Sequence, residues 1–232
     1  MGMHALDNPI WTALTTSQAH CAEGEGLARR FQTEIGPLAG FAEANREAYV
    51  AVGKLVRVGT GAGLFLEAPA NAADVEPAGF RIVEQDSLLQ MIYSDCELAA
   101  RSLDFVKLTA LDVPEMVALA TMMKPGPFST RTHELGSFIG VKRERQLAAM
   151  AGERMRMPGY TEISAVCTHP NHAGRGYATA LMVELIGQIR RRNEIPILHV
   201  RSSNTHAIGL YRRIGFTDRR RFHFAVIAKT AA

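Results

Sequence analysis

Cysteine is scarce. The 232 residues hold three, Cys21, Cys96 and Cys167, far apart and without a CxxC pair. That argues against a disulfide framework or a cysteine-based zinc site and fits a reducing compartment. The 8 histidines show no HExxH or similar ligand spacing, so no metal is expected. No run reaches the ~18 apolar residues of a membrane helix, so no membrane partner is expected. The first 25 residues lack the apolar core of a signal peptide. The opening Met-Gly has Leu6 where myristoylation wants Ser or Thr. The expectation is a soluble, cytoplasmic protein. An excess of one charge is also missing. Lys+Arg number 26 against 23 Asp+Glu, and a net +3 is too mild to predict nucleic acid as a partner. The positive charge is local instead: Arg190, Arg191 and Arg192, then Arg212 and Arg213, then Arg219, Arg220 and Arg221. Such clusters can serve an anionic ligand.

What is present is an average globular balance, 47% hydrophobic and 21% charged. The length suits one large domain or two small ones and can bury a core unaided. The pattern divides near residue 105, into 1–104 and 105–232. Before it, 25–34 and 41–52 read as short helices. Apolar runs at 64–66, 80–83 and 88–92 read as strands, and 68–79, rich in Ala, Pro and Asn, as a loop. The run Gly59-Thr60-Gly61-Ala62-Gly63 has no amphipathic helix after it, so it reads as a glycine turn and not a phosphate cradle.

After residue 105 the order is clearer. Strands are predicted at 105–109, 137–142, 146–153, 160–167, 196–201 and 222–228, with a turn at 143–145. Helices are predicted at 110–123, 176–192 and 205–214. The second of these carries Ala178, Leu181, Met182, Leu185, Ile186 and Ile189 on one face. No low-complexity segment or repeat interrupts the chain.

Two stretches carry chemistry. In the first, a strand meets a tight turn containing Gly174 and Gly176 and then a strong helix. Glycine admits positive φ, and the free N–H groups of a first helical turn favour an anion. No Gly-Lys-Ser/Thr follows and the G-x-G-x-x-G spacing fails, so this is neither a P-loop nor a dinucleotide fingerprint. In the second, Asn204 is a good N-cap, and Tyr211 shares a helix face with Ala207 and Ile208. Each feature alone has an ordinary structural explanation.

Together they resemble the GNAT superfamily of acyl-CoA-dependent N-acyltransferases over about residues 105–228. The first motif is His-Pro-x-x-x-Gly-Arg-Gly-x-Ala from His169, and the second Asn-x-x-Ala-x-x-x-Tyr-x-x-x-Gly-Phe from Asn204. Gly152-Glu153-Arg154-Met155 and the run 166–170 look like a bacterial branch with an extra N-terminal half. The resemblance implies an α/β fold with a mixed, mostly antiparallel central sheet flanked by helices, and a smaller N-terminal α/β half. A degenerate second copy of the same fold is the candidate reading of that half.

The resemblance also implies roles. Acetyl-CoA is the expected co-substrate. Val166, Cys167 and Thr168 would border its acetyl and pantetheine groups. Ala173, Gly174, Arg175, Gly176, Tyr177, Ala178 and Thr179 would wrap its pyrophosphate. Asn204, Ala207 and Tyr211 would line the pantetheine arm and the sulfur. The family usually has Arg or Gln where Ala173 stands, which removes one side chain from a mainly backbone contact. The Val166 N–H would steady charge on the carbonyl oxygen. Tyr211 would be the acid for the departing thiolate, a role typically worth ~10²–10⁴ in rate. Strand alternation points Cys167 away from Val166, so it reads as a buried thiol and not a nucleophile. Glu162, sharing a face with Ser164 and Val166, is the first candidate for the base that frees the amine, with a salt-bridged structural carboxylate as the alternative. His133 and Glu134 are candidates for the acceptor site. His169 and His172 are expected to shape the phosphate turn. The expected activity is N-acetylation of a small amine or amino-acid-like acceptor. A non-catalytic acyl-CoA-binding or sensing module is the alternative, and a homodimer is left open.

Overall fold

The computed structural model of the protein describes residues 4–94 and 103–231; Cys96 lies outside them. The described strands are β1 (Ala22–Glu23), β2 (Ala28–Phe31), β3 (Ala39–Phe41), β4 (Gly61–Leu66), β5 (Phe80–Tyr93), β6 (Val106–Lys107), β7 (Phe138–Arg143), β8 (Gln146–Met157), β9 (Tyr160–Thr168), β10 (Ile195–Arg201) and β11 (Phe216–Lys229). The helices are α1 (Pro9–Thr15), α2 (Arg46–Leu55), α3 (Ala72–Val75), α4 (Val113–Met123), α5 (Tyr177–Arg191) and α6 (Thr205–Arg213).

Strands β1 to β3 form a small antiparallel sheet. The main sheet has eight strands in the order β4-β11-β5-β10-β9-β8-β7-β6. The pair β9/β10 is parallel, and its register covers only Tyr160 to Glu162 against Ile195 to Ile197. Beyond Ile197, β10 continues against β5 as far as Arg201 opposite Leu88. So β9 and β10 part, and a gap opens between their C-terminal ends. The mixed, mostly antiparallel architecture is the expected one. Strands from both sides of residue 105 share it, because β5 lies between β10 and β11.

Four apolar clusters hold the layers. Helix α5 buries Leu181, Leu185 and Ile189 completely against β7 to β10, each worth ~1.5–3 kcal/mol of transfer. Helix α4 packs Met116, Leu119 and Ala120 beside Phe138, Ala165 and Cys167. Helix α2 covers β4 and the C-terminal part of β11, and α1 docks with Phe31, Met155 and Phe222.

Several elements differ from the sequence pattern. Residues 25–34 form β2 and its turns and not a helix. Gly24 and Gly26 take φ +90 and +62, which breaks any helix entering there. The helix expected at 41–52 begins at Arg46, because the Asn45 side chain accepts the Ala48 N–H and caps it. The strands expected at 80–83 and 88–92 are one strand, β5. Its polar middle is tied at the surface, where Arg201 pairs with Glu84 (2.6 Å) and with Asp86. The loop 68–79 contains the short helix α3. Strand β8 runs four residues past the first charge in its pattern. Its Glu153 and Arg154 are buried but paired, Glu153 with Arg192 (2.8 Å) and Arg154 with Glu162.

Candidate functional site

The site begins with an irregularity in β9. Ala165 takes φ +53, and the register against β8 slips: Ser164 faces Gly152, while Cys167 faces Met150. Two residues, Ala165 and Val166, therefore oppose one, which is a bulge. A non-glycine residue in this left-handed region is costly, and such strain gathers at functional sites. Side-chain parity reverses across it. Ile163 packs in the α5 cluster, Ala165 and Cys167 pack in the α4 cluster, and Val166 turns back to the α5 side. Glu162 and Val166 thus lie on opposite faces, a correction to the shared face that plain alternation gave.

Beside the bulge lies a cavity of about 890 Å³ in the gap between β9 and β10. Ser164, Val166, Cys167 and Thr168 line it from β9. His199, Val200 and Arg201 line it from β10, and Ala178 from α5. Asn204, His206, Ala207, Leu210 and Tyr211 line the α6 side, and the 124–128 segment with Arg154 another wall. The structure so brings together Val166, Thr168, Ala178, Asn204, Ala207 and Tyr211 from the two sequence motifs. Asn204 uses its Oδ1 to accept the Ala207 N–H (3.1 Å), and its Nδ2 has no hydrogen-bond partner among the described residues. The Tyr211 hydroxyl has no hydrogen-bond partner among the described residues. Burial pushes it up to about 12, so it is a protonated donor at any ordinary pH. Cys167 is buried, and burial pushes its thiol up to about 12, which leaves almost no nucleophilic thiolate.

The glycine turn sits at the N-terminus of α5. Gly174 and Gly176 take φ +72 and +77, and Gly176 is an N-cap without a side-chain cap. The first-turn N–H groups are therefore free of capping by a side chain and available to an anion. Ala173, Gly174 and Arg175 are exposed beside them, with Tyr177 and Thr179 just inside the helix. Arg143 donates to the Tyr177 hydroxyl from 3.0 Å, and its guanidinium lies 5.2 Å from the ring centroid. Desolvation would raise that hydroxyl, but hydrogen bonds from Arg143 and Arg175 outweigh it and lower it. Two guanidinium groups thus converge at the mouth of the turn. His169 accepts the Asn171 N–H with its Nδ1, and the His169 and His172 rings lie 6.0 Å apart, both shaping the turn.

The remaining candidates fall elsewhere. Glu162 is fully buried and does not line the cavity. Arg154 grips its two oxygens through Nε (2.8 Å) and Nη2 (2.5 Å), and His199 Nδ1 donates to Oε1 (2.8 Å). Burial would raise the Glu162 carboxyl, but the attraction and hydrogen bonds of Arg154, with the bond from His199, outweigh it and hold it at about 2. Such a carboxylate is a weak proton acceptor. The environment is that of the salt-bridged alternative and not of a base. Burial also lowers the His199 imidazole, against the pull of Glu162. Gln90 Nε2 lies 2.9 Å from His199 Nε2 and donates to the Leu6 carbonyl, while Arg219 donates to Gln90 Oε1. This order fixes His199 as the Nδ1–H tautomer. His133 and Glu134 do not line the cavity either. Their segment is tied to residues 32–35, through Thr132 Oγ1 to the Ile35 carbonyl (2.6 Å) and Arg131 to the Gln32 side chain (2.9 Å), and Glu134 is spent on Arg131. The sequence pattern missed Arg154, His199 and Gln90, which three separate strands bring together. The one signal was a Glu-Arg pair inside the otherwise apolar run of β8.

Comparison with known proteins agrees with this architecture. The model of the FR47-like protein family matches residues 138–225. A solved structure from Novosphingobium aromaticivorans DSM 12444, assigned to the GNAT family of acetyltransferases, is 36% identical. It superposes with a TM-score of 0.88 over 99% of this chain and 100% of that chain. A GCN5-related N-acetyltransferase from Kribbella flavida shares the fold at 17% identity and a TM-score of 0.65, over 100% of this chain and 97% of that one. A GCN5-related N-acetyltransferase-like protein from Streptococcus suis does so at 15% identity and 0.60, over 94% and 91%. No curated protein sequence matches.

Proposed function

This chain belongs to the GNAT family of acetyltransferases, and from that premise we propose that it moves an acetyl group from acetyl-CoA to the primary amine of a small, amino-acid-like acceptor. The observation that carries this reading is the bulge at Ala165–Val166 opening onto the cavity between β9 and β10. An out-of-ladder N–H at Val166 is a preorganised donor for charge developing on a carbonyl oxygen. Acetyl-CoA fits the chain in three ways. The uncapped start of α5, with Arg143 and Arg175 beside it, suits a pyrophosphate. Thr168 and the free Nδ2 of Asn204 suit an amide-bearing arm. The unpartnered Tyr211 hydroxyl suits the sulfur.

In the reaction a C–N bond forms, the C–S bond breaks, and the amine loses a proton that the thiol finally carries. Tyr211 donates a hydrogen bond to the thiolate as it leaves. A phenol at about 12 gives up its proton less readily than one near ~10, so its main contribution is that hydrogen bond. No free carboxylate among the described residues stands over the acceptor side. The amine is therefore proposed to enter neutral or to lose its proton through water. Glu162 acts in this scheme as a positioning residue that orients Arg154 and His199.

An acceptor screen with acetyl-CoA, following free thiol release, tests the activity. Release dependent on a primary amine supports it. Absence of release across amines, amino acids and peptides, with a folded protein that binds acetyl-CoA, refutes it.

A further inference from the structure

This inference rests on the acetyltransferase reading above and concerns what the acceptor must carry. We propose that Arg154 binds a carboxylate of the acceptor, which makes the substrate class an amine with a carboxylate and an apolar body: an amino acid or close analogue.

Arg154 is buried at the cavity wall, with 11% of its side chain exposed. Glu162 takes one edge of its guanidinium, the Nε and one Nη2 hydrogen. A guanidinium has five N–H groups, so an outer edge remains. Nη1 has no hydrogen-bond partner among the described residues. Space is open beside it: a Cβ on Gly126 would meet only Nη1 within 4 Å, at 3.8 Å. An Nη1/Nη2 edge presents two parallel N–H groups, a fork that matches a carboxylate. The Glu162 grip fixes the direction of that fork.

Stability alone does not explain the arrangement. A buried ion pair roughly breaks even against apolar replacement, and a purely structural pair has no need of a cavity-facing edge. The charges around the cavity point the same way. Lys124, Arg154 and Arg201 line it against one carboxylate, Glu84, which Arg201 already holds. His199 beside Arg154 is kept neutral. The cavity that Arg154 lines also has apolar walls, Leu38, Phe65, Phe128 and Phe224 among them, which suits a hydrophobic side chain between a carboxylate and an amine.

The test uses two matched sets of acceptors at saturating acetyl-CoA: phenylalanine, phenylalaninamide and phenethylamine; leucine, leucinamide and isopentylamine. Thiol release is followed at pH 9, where differences in amine basicity matter least. The acid of at least one set should exceed both partners that lack the carboxylate in kcat/KM by about 30-fold or more, as expected when a buried charged partner loses its mate. In the Arg154→Gln/Glu162→Gln double variant, which removes both buried charges together, that ratio should collapse towards one. Equal or better turnover of the amides and amines overturns the carboxylate assignment while leaving the acetyltransferase reading intact. Failure of all six while calorimetry still shows acetyl-CoA binding overturns it too. Loss of acetyl-CoA binding in the folded wild type strikes the underlying reading instead. The wild-type ratios decide the matter whether or not the double variant folds.

Discussion

The two ends of β9 are built for different purposes. At its N-terminal end the strand is laddered to β10 from Tyr160 to Glu162 and to β8 at Tyr160 and Thr161, and its carboxylate is locked by Arg154 and His199. At its C-terminal end, past the bulge at Ala165, β10 has moved away and the backbone faces a cavity. One strand thus supplies a buried anchor whose carboxylate is fully held and, about five residues on, an open edge with unspent donors. The carboxylate oxygens of the first region are taken by their partners; the donors of the second are left for a ligand.

The largest effect expected from breaking this contrast is on the anchor. Arg154→Met leaves Glu162 charged and unpaired in the interior and should cost about 3–5 kcal/mol, read by urea unfolding. Adding Glu162→Gln should recover most of it. A single variant as stable as the double would mean that the anchor is wet. At the open end, Tyr211→Phe should lower kcat by ~10², the worth of one donor aimed at developing charge, with the KM for acetyl-CoA nearly unchanged. Chemistry must first be shown to limit turnover, since slow product release would hide the loss. Gly176→Asp sets a carboxylate and a Cβ at the uncapped start of α5, where φ is +77. Calorimetry should then show acetyl-CoA binding weakened about tenfold, ~1.4 kcal/mol; unchanged affinity in the folded variant would remove the phosphate role of that turn.

The smallest expected effect separates anchor from catalyst most sharply. Glu162→Gln should leave the pH profile of kcat/KM where it is, because a carboxyl held at about 2 does not titrate in the working range. Its effect belongs to stability. The folded-state value lies below the ordinary 4.5, so the stabilisation is present above 4.5 and is lost as pH falls towards about 2. His199 adds to this acid sensitivity. Its value is lowered from 6.5, so the unfolded chain takes up its proton first as pH falls below 6.5. A shifted rate profile would return Glu162 to the chemistry.

The open end was legible in the sequence and the anchor was not. The glycine turn, the strong helix behind it and the Asn204–Tyr211 spacing are local patterns, and local patterns survive without knowledge of topology. The anchor is assembled by strand order. Arg154, Glu162, His199 and Gln90 come from β8, β9, β10 and β5, and no spacing in the chain announces that they meet. The bulge was hidden as well, since alternation read through 162–166 assigns Val166 to the wrong face. In the first hundred residues, glycines at positive φ and a mid-strand run of charged residues obscured β2 and the continuity of β5.

The placement of β5 has a consequence for how the chain is made. During synthesis β4 and β5 leave the ribosome early, but their neighbours in the main sheet are β10 and β11, the last two strands of the sheet to emerge. About a hundred residues must therefore appear before β5 finds its first long-range partner, and β11 closes on both β4 and β5 only once residues 216–229 have emerged. Such distant pairing is slow to form and leaves strand edges open in the meantime. The nascent chain carries an unfilled slot between β4 and β5 until β11 arrives, which makes residues 216–229 a closing clasp.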